Sequence, residues 1–160
     1  MEKDAEAGDI GVPAVMIKEA WFRYEKNSHD VLKGTSLGIA EGSIHAIVGG
    51  NGTGKSTLLK CICNICRPYR GQILIKGKRV EKYSSSELFR NNLAMLPQDP
   101  QSLFVKKTVR EDLAEMGAKI DEAVKMCEIE ELLESHPYDL SGGEQQRVAL
   151  AKVMLTDPKI

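Results

Sequence analysis

Eight consecutive residues, Gly49-Gly50-Asn51-Gly52-Thr53-Gly54-Lys55-Ser56, carry the clearest chemistry in this 160-residue chain. They fit the pattern G-x-x-x-x-G-K-[ST] without exception. Glycines let a backbone take positive φ and curl, so that successive N–H groups converge on an anion. A helix opening directly after such a loop aims its positive dipole end at the same point. In that arrangement Lys55 bridges the β- and γ-phosphates of a nucleotide, and the Ser56 hydroxyl ligates Mg2+. A polyphosphate site is therefore expected at Gly49–Ser56, continuing into the helix at Thr57.

A second run, Leu140-Ser141-Gly142-Gly143-Glu144-Gln145-Gln146-Arg147, has the residue types of another helix start. Ser141 is a natural N-cap, and Glu144 stands three residues on, at capping-box spacing. The two glycines between them leave backbone N–H groups open to solvent, a feature of an anion-binding surface. Capping alone would equally well describe an ordinary helix after a loop.

Both runs need elements to position them. Val15 to Tyr24 mixes β-branched and aromatic residues as a strand does, and Asn27-Ser28-His29-Asp30 has turn chemistry. Leu37 and Ile39 alternate with smaller or polar neighbours before a turn at Glu41-Gly42. Ile44–Val48, a short apolar run just before the glycine-rich loop, reads as a buried parallel strand. The helix after the loop is expected from about Lys55 to Cys66, stopped by Pro68 and Gly71. Ile73-Leu74-Ile75 turning at Lys76-Gly77-Lys78 predicts a hairpin. Ser85–Asn91 supplies one or two helical turns, and Leu93–Leu96 reads as another buried strand.

The second half is helical in pattern. Thr108 and Glu111 have capping-box spacing, and Val109, Leu113, Met116, Ile120, Val124 and Cys127 recur every three or four residues, as one apolar face of a single helix or of a helix pair broken at Gly117. The Ser141 start leads into Val148, Leu150, Ala151 and Leu155 and ends at Asp157-Pro158. Strands followed by helices, with strand, loop and helix at the centre, predict an α/β chain carrying a helical insertion.

Composition narrows the function classes. With 22 Lys+Arg against 23 Asp+Glu the net charge is -1, which argues against a chain that coats nucleic acid through bulk positive charge. No apolar run approaches the length of a bilayer span, about 20 residues. Residues 1–14 are acidic and small, without the apolar segment of a secretory signal, and read as a flexible tail or linker. Cys61, Cys63 and Cys66 could bring a metal to mind. However, positions i and i+2 of a helix face different ways, and the cluster lacks a fourth ligand. These three and Cys127 read as small core residues. His29, His45 and His136 receive no role.

The string Leu140–Arg147 together with the Gly49–Ser56 loop resembles ATP-binding cassette (ABC) proteins, and the resemblance spans about Val15 to Ile160. It implies a P-loop NTPase core, a mixed sheet with flanking helices, plus a short α-helical subdomain over about 99–141. In this reading 15–160 is a partial nucleotide-binding domain, incomplete at its C-terminus. The segment from Thr108 to Ser141 is short for the helical subdomain of such proteins.

By the same resemblance Tyr24, in Phe22-Arg23-Tyr24, stacks on adenine. Gln98, in Leu96-Pro97-Gln98-Asp99-Pro100-Gln101, is the glutamine that reaches Mg2+ and the attacking water. Lys55 and Gln98 are then the catalytic residues of this chain, and Ser56 and Gln98 its metal ligands. ATP and Mg2+ are the implied ligands. Leu140, Ser141, Gly142, Gly143, Glu144 and Gln145 act in trans on the ATP of a second cassette, in a homodimer, a heterodimer or a tandem fusion. Family members continue, soon after the point matching Ile160, into a strand bearing a Mg2+-organising Asp and the general-base Glu. The 160 residues alone are therefore expected to hydrolyse ATP near background, and the complete parent to be an ATPase.

The forms Gln98–Phe104 and Gly143–Arg147 look most like importer ATPases of the energy-coupling-factor group, which serve vitamin and metal-ion uptake. They imply transmembrane partner subunits and a place in the cytoplasm on the inner face of the cell membrane. Two other readings are weighed. One is a soluble ABC-family ATPase of DNA repair or translation, which should carry heptads or basic extensions that this chain lacks. The other is a non-hydrolysing, nucleotide-dependent dimerisation module.

Overall fold

Strand β1 (Val15–Phe22) explains much of the first half. Val15 and Ile17 are buried, Lys18 and Glu19 are both exposed, and then Ala20 and Phe22 are buried. The buried set moves from odd to even positions, which strict alternation forbids. A bulge makes the change: Glu19 takes φ 46°, and the pairing register shifts on both sides of it. Gly71 faces this bulge so closely that a Cβ there would lie 2.2 Å from the Glu19 carbonyl oxygen. Only glycine fits at that position.

The computed structural model describes residues 12–117 and 119–160. Most of the expected N-terminal tail lies outside them. The chain divides into two units, Met1–Leu88 and Phe89–Ile160. In the first, β1 lies between β2 (Leu32–Ile39) and β3 (Arg70–Ile75), and β4 (Lys78–Arg79) completes the order β2-β1-β3-β4. Every pairing is antiparallel. The hairpin from β3 to β4 turns at Lys76 and Gly77, both with positive φ, as expected of a two-residue loop between twisted strands. Helix α1 (Lys55–Ile62) buries Leu58, Cys61 and Ile62, and α2 (Ser85–Phe89) buries Leu88.

Two strand expectations need correction. Ile44–Val48 forms no strand, and Ile44 and Val48 are 101% and 87% exposed. An apolar run becomes a parallel strand only where a neighbouring strand supplies hydrogen bonds along at least one of its edges. No described strand pairs with this one. Leu93–Leu96 is likewise not a strand, although Leu93 is buried. It has the beginning of a ladder: Ile160 N–H donates to Asn92 O, and Ala94 N–H donates to Ile160 O, at 2.9 Å each. One residue bonding across to the two neighbours of its partner is the parallel pattern.

Helix α1 ends at Ile62, before the expected Cys66. Asn64 takes φ 56°, its N–H donates to Cys61 O, and the Ile65 N–H reaches back to Lys60 O at 2.9 Å. This pair of bonds is a Schellman cap, with Asn in the left-handed position usually filled by glycine.

In the second unit the apolar stripe is carried by a broken pair, α3 (Val109–Ala114) and α4 (Asp121–Met126), and Gly117 takes φ 68° in the stretch between them. With α5 (Gly142–Met154) they enclose Val109, Leu113, Val124, Ile129 and Val148. Helix α5 ends at Met154, slightly before the expected Asp157-Pro158. Both expected capping boxes are present, Thr108 with Glu111 and Ser141 with Glu144.

Candidate functional site

The loop preceding α1 has the expected curl. Gly52 and Gly54 take φ 78° and 92°, in the left-handed region. At Gly54 a side chain is also crowded out, since a Cβ would stand 3.0 Å from the Val31 carbonyl oxygen. Thr53 Oγ1 donates to Gly50 O at 2.9 Å and holds the curl from inside. The Lys55 ammonium donates to Gly49 O at 2.8 Å and to Gly50 O at 2.6 Å. An ammonium has three donors, so two hold the loop while one remains for an anion.

Helix α1 begins with no side-chain cap and no acidic residue in its first turn. Its opening N–H groups and dipole end therefore face the loop without a built-in anion. Ser56, in this first turn, is exposed. Thr57 is buried, and its hydroxyl shares a 2.9 Å hydrogen bond with the Tyr24 hydroxyl. Tyr24 is 60% exposed and stands edge-on to Phe22, with ring centroids 5.0 Å apart. A core aromatic would be covered; this ring offers an open face beside the loop. The tie from Tyr24 to Thr57 was not legible in sequence, because 33 positions separate the two residues.

Of the three cysteines near the loop, two behave as core residues and Cys66 is only half-buried. Cys61 and Cys63 are buried. Burial, with the neighbouring Cys66 adding to it, pushes the Cys61 thiol up to about 12, and burial raises Cys63 to about 11. Cys127 is raised by burial too, opposed by Arg147. These groups stay protonated at neutral pH and pack as small apolar side chains.

The second run lies wholly in the second unit. Ser141, Gly142 and Gly143 are exposed, and Leu140 packs against the helical core. Glu144 Oε2 accepts from the Ser141 N–H at 2.8 Å, and Ser141 Oγ accepts from the Glu144 N–H at 3.4 Å. Hydrogen bonds from the Ser141 side chain and backbone hold the Glu144 carboxyl below its usual range. A Cβ on Gly142 or Gly143 would meet nothing within 4 Å, so the surface between the capping residues is open.

Gln98 is exposed, and its backbone carbonyl accepts from Gln146 Nε2 at 3.5 Å. Three residues on, Gln101 donates to Gln145 Oε1 at 3.3 Å, and Gln145 Nε2 donates to Pro137 O at 3.1 Å. The glutamines following Gly143 thus grip the segment that carries Gln98. Sequence reading missed this link, and it also missed the buried pair of Asp112 and Lys152, 2.8 Å apart. A lysine on the apolar side of α5 was the available signal for that pair.

Comparisons with known proteins agree with this geometry. A family model described as ABC transporter matches residues 32–160. The energy-coupling factor transporter ATP-binding protein EcfA1 of Bacillus subtilis (strain 168) is 37% identical over 158 residues, covering 91% of this chain and 56% of that protein. The structure of cbiO1 from Clostridium perfringens, part of the ABC transporter complex cbiONQ, superposes with a TM-score of 0.77 at 30% identity. The match covers 91% of this chain and 62% of that one. A bacterial Atm1-family ABC exporter with ATP bound gives a TM-score of 0.81 at 30% identity over 97% of this chain and 30% of its own. The chain spans about half the length of the curated relatives it matches. Its loop, its second helix start and its matched residues place it in one family: the chain belongs to the ABC transporters.

Proposed function

We propose that this chain is the nucleotide-binding part of an ATPase subunit that energises an ABC importer. The curled Gly49–Lys55 loop, feeding an uncapped helix start beside the open ring of Tyr24, carries the reading. Backbone amides of Gly50, Asn51, Gly52, Thr53 and Gly54, with those of Lys55 and Ser56, suit a polyphosphate. Tyr24 suits a flat base. The absence of acidic residues from the first turn of α1 means that no side chain there repels a polyphosphate. Ser56 also suits Mg2+, since it supplies an exposed hydroxyl at the helix start. The ion would neutralise phosphate charge when bound.

Chemistry by this chain's own residues is then positioning and charge compensation. Lys55 places its free donor on the phosphates, and the α1 dipole adds to the same field. Hydrolysis belongs to the complete protein, with its general base; the 160 residues alone turn over ATP near background. The exposed Ser141–Gly143 surface faces the ATP of a second cassette, and ATP-driven closure is passed to transmembrane subunits at the inner membrane face. Among the described residues no helix is long and apolar enough to cross a membrane. The names of EcfA1 and of the cbiONQ complex support an ATP-binding subunit of a transporter of the energy-coupling-factor kind, and the resemblance of Gln98–Phe104 and Gly143–Arg147 to importer ATPases supports uptake of vitamins or metal ions.

Calorimetric titration with ATP, with and without Mg2+, tests the reading. Binding that Lys55→Ala weakens strongly is the expected outcome. Equal binding by both proteins, or none by either, would remove the P-loop assignment. A steady phosphate release near 1 s⁻¹, an ordinary turnover, from the 160 residues alone would show that they carry a general base of their own.

A further inference from the structure

Asp112 in α3 is fully buried, and Lys152 in α5 nearly so. Burying one charge without a partner is expensive, so such groups persist only where every donor and acceptor is used. Here they are used on one connecting segment. Lys152 Nζ donates to Asp112 Oδ1 at 2.8 Å and to Leu103 O at 2.7 Å. Asp112 accepts from the Val105 N–H at 3.1 Å and the Lys106 N–H at 3.4 Å. The segment held in this way begins at Gln98 and runs through a 3₁₀ turn, Pro100–Leu103.

Its other end is held by the same helix. Gln145 takes Gln101, and Gln146 takes the Gln98 carbonyl. Gln145 and Lys152 lie seven residues apart, two turns along one face of α5, so their anchors are about 10 Å apart along the axis. Two-point attachment fixes orientation as well as distance. We infer that Asp112 and Lys152 are positioning residues that lock the Gln98–Lys106 segment onto the helix starting at Ser141, so that Gln98 and the Ser141–Gly143 surface move as one body. The consequence for turnover rests on the proposed ATPase reading; the locking itself does not.

Hydrogen exchange on the 160-residue chain tests the lock without nucleotide. Lys152→Met should speed exchange of the 98–106 amides by about tenfold or more while α4 changes by less than about threefold, because local opening is set by local contacts. Lys152→Arg, which keeps charge and donors, should restore protection. Uniform acceleration over 89–160, or full protection with methionine, would overturn the inference. Should Lys152→Met not fold, Gln146→Ala tests the other anchor, with the same local loss expected and a uniform or absent change counting against the lock. In the full-length protein, Lys152→Met should lower kcat about tenfold with KM for ATP within about twofold, since this variant leaves the phosphate loop intact. Unchanged kcat alongside accelerated exchange would overturn the coupling. Absence of ATP turnover in the unmodified full-length protein would instead count against the ATPase reading, and the exchange result would stand.

Discussion

Two helices in this protein start at glycines, α1 just after Gly54 and α5 on Gly142-Gly143, and they treat their first turns in opposite ways. Helix α1 opens after Gly54 with no side-chain cap and no acidic residue, whereas α5 opens with Ser141 and Glu144 joined in a capping box. A helix start leaves four N–H groups without partners and carries about half a positive charge. In α5 the Ser141 and Glu144 side chains supply two acceptors and a negative charge of their own. In α1 both are left to whatever the loop holds. Local stability and ligand affinity therefore pull against each other at α1, where a cap would compete with a phosphate, whereas at α5 the cap is already in place and stabilises the helix.

The sharpest way to break this contrast is to give α1 the acid that α5 has. Ser56→Asp should strengthen the isolated helix by about 0.5 kcal/mol. It should also weaken binding of ATP or inorganic triphosphate by about 100-fold or more, as like charges near 4 Å repel by several kcal/mol at the protein surface. Calorimetry and thermal melting on one sample separate the two effects. A smaller loss follows from Lys55→Ala, which removes one charge-assisted donor worth about 1.5–3 kcal/mol, hence about 10- to 100-fold in triphosphate affinity. Smaller again is Tyr24→Ala. Stacking of a base on an aromatic ring contributes about 1–3 kcal/mol, so ATP should weaken about tenfold and inorganic triphosphate by less than about twofold. Equal losses for the two ligands would mean that Tyr24 acts only through its hydrogen bond to Thr57, and Tyr24→Phe, which keeps the ring, would then share the defect.

The same contrast shows what a sequence displays. Both helix starts were legible because capping and curling depend on residues within a few positions: Ser141 with Glu144, or the glycines with Lys55. The β3–β4 hairpin at Lys76-Gly77 was legible for the same reason. Ile44–Val48 was not, because an apolar run does not say whether neighbours exist to pair with it. Nor was the early end of α1 before Asn64, since the pattern of apolar residues continued past it and the left-handed cap rests on one backbone angle. The grip of Gln145 on Gln101, across 44 positions, and of Lys152 on Asp112, across 40, depends on tertiary packing that periodicity does not encode. The bulge at Glu19 lay between these cases: adjacent Lys18 and Glu19 broke the alternation, while the matching glycine stood far away at Gly71.

The remaining predictions sharpen the α5 side and are the smallest. Ser141→Ala removes the N-cap oxygen and should cost about 1 kcal/mol, lowering the melting temperature by about 3 °C for a chain of this size. Triphosphate binding at the Gly49–Ser56 loop should be unaffected, because the two starts lie in different units. The Glu144 carboxyl gives the finer test. Hydrogen bonds from Ser141 lower its pKa in the folded protein. The unfolded chain therefore binds the proton more readily than the folded one at moderately acid pH. The box's contribution is present above the ordinary glutamate range and is lost as pH falls through the lowered value. Melting of the unmodified protein and of Glu144→Gln, compared from pH 6 to about pH 3, should thus converge at the acid end, because glutamine still accepts the Ser141 N–H but carries no charge. A constant difference between the two across that range would show that the Glu144 charge adds nothing to the cap, and the asymmetry between the two helix starts would then reduce to hydrogen bonding alone.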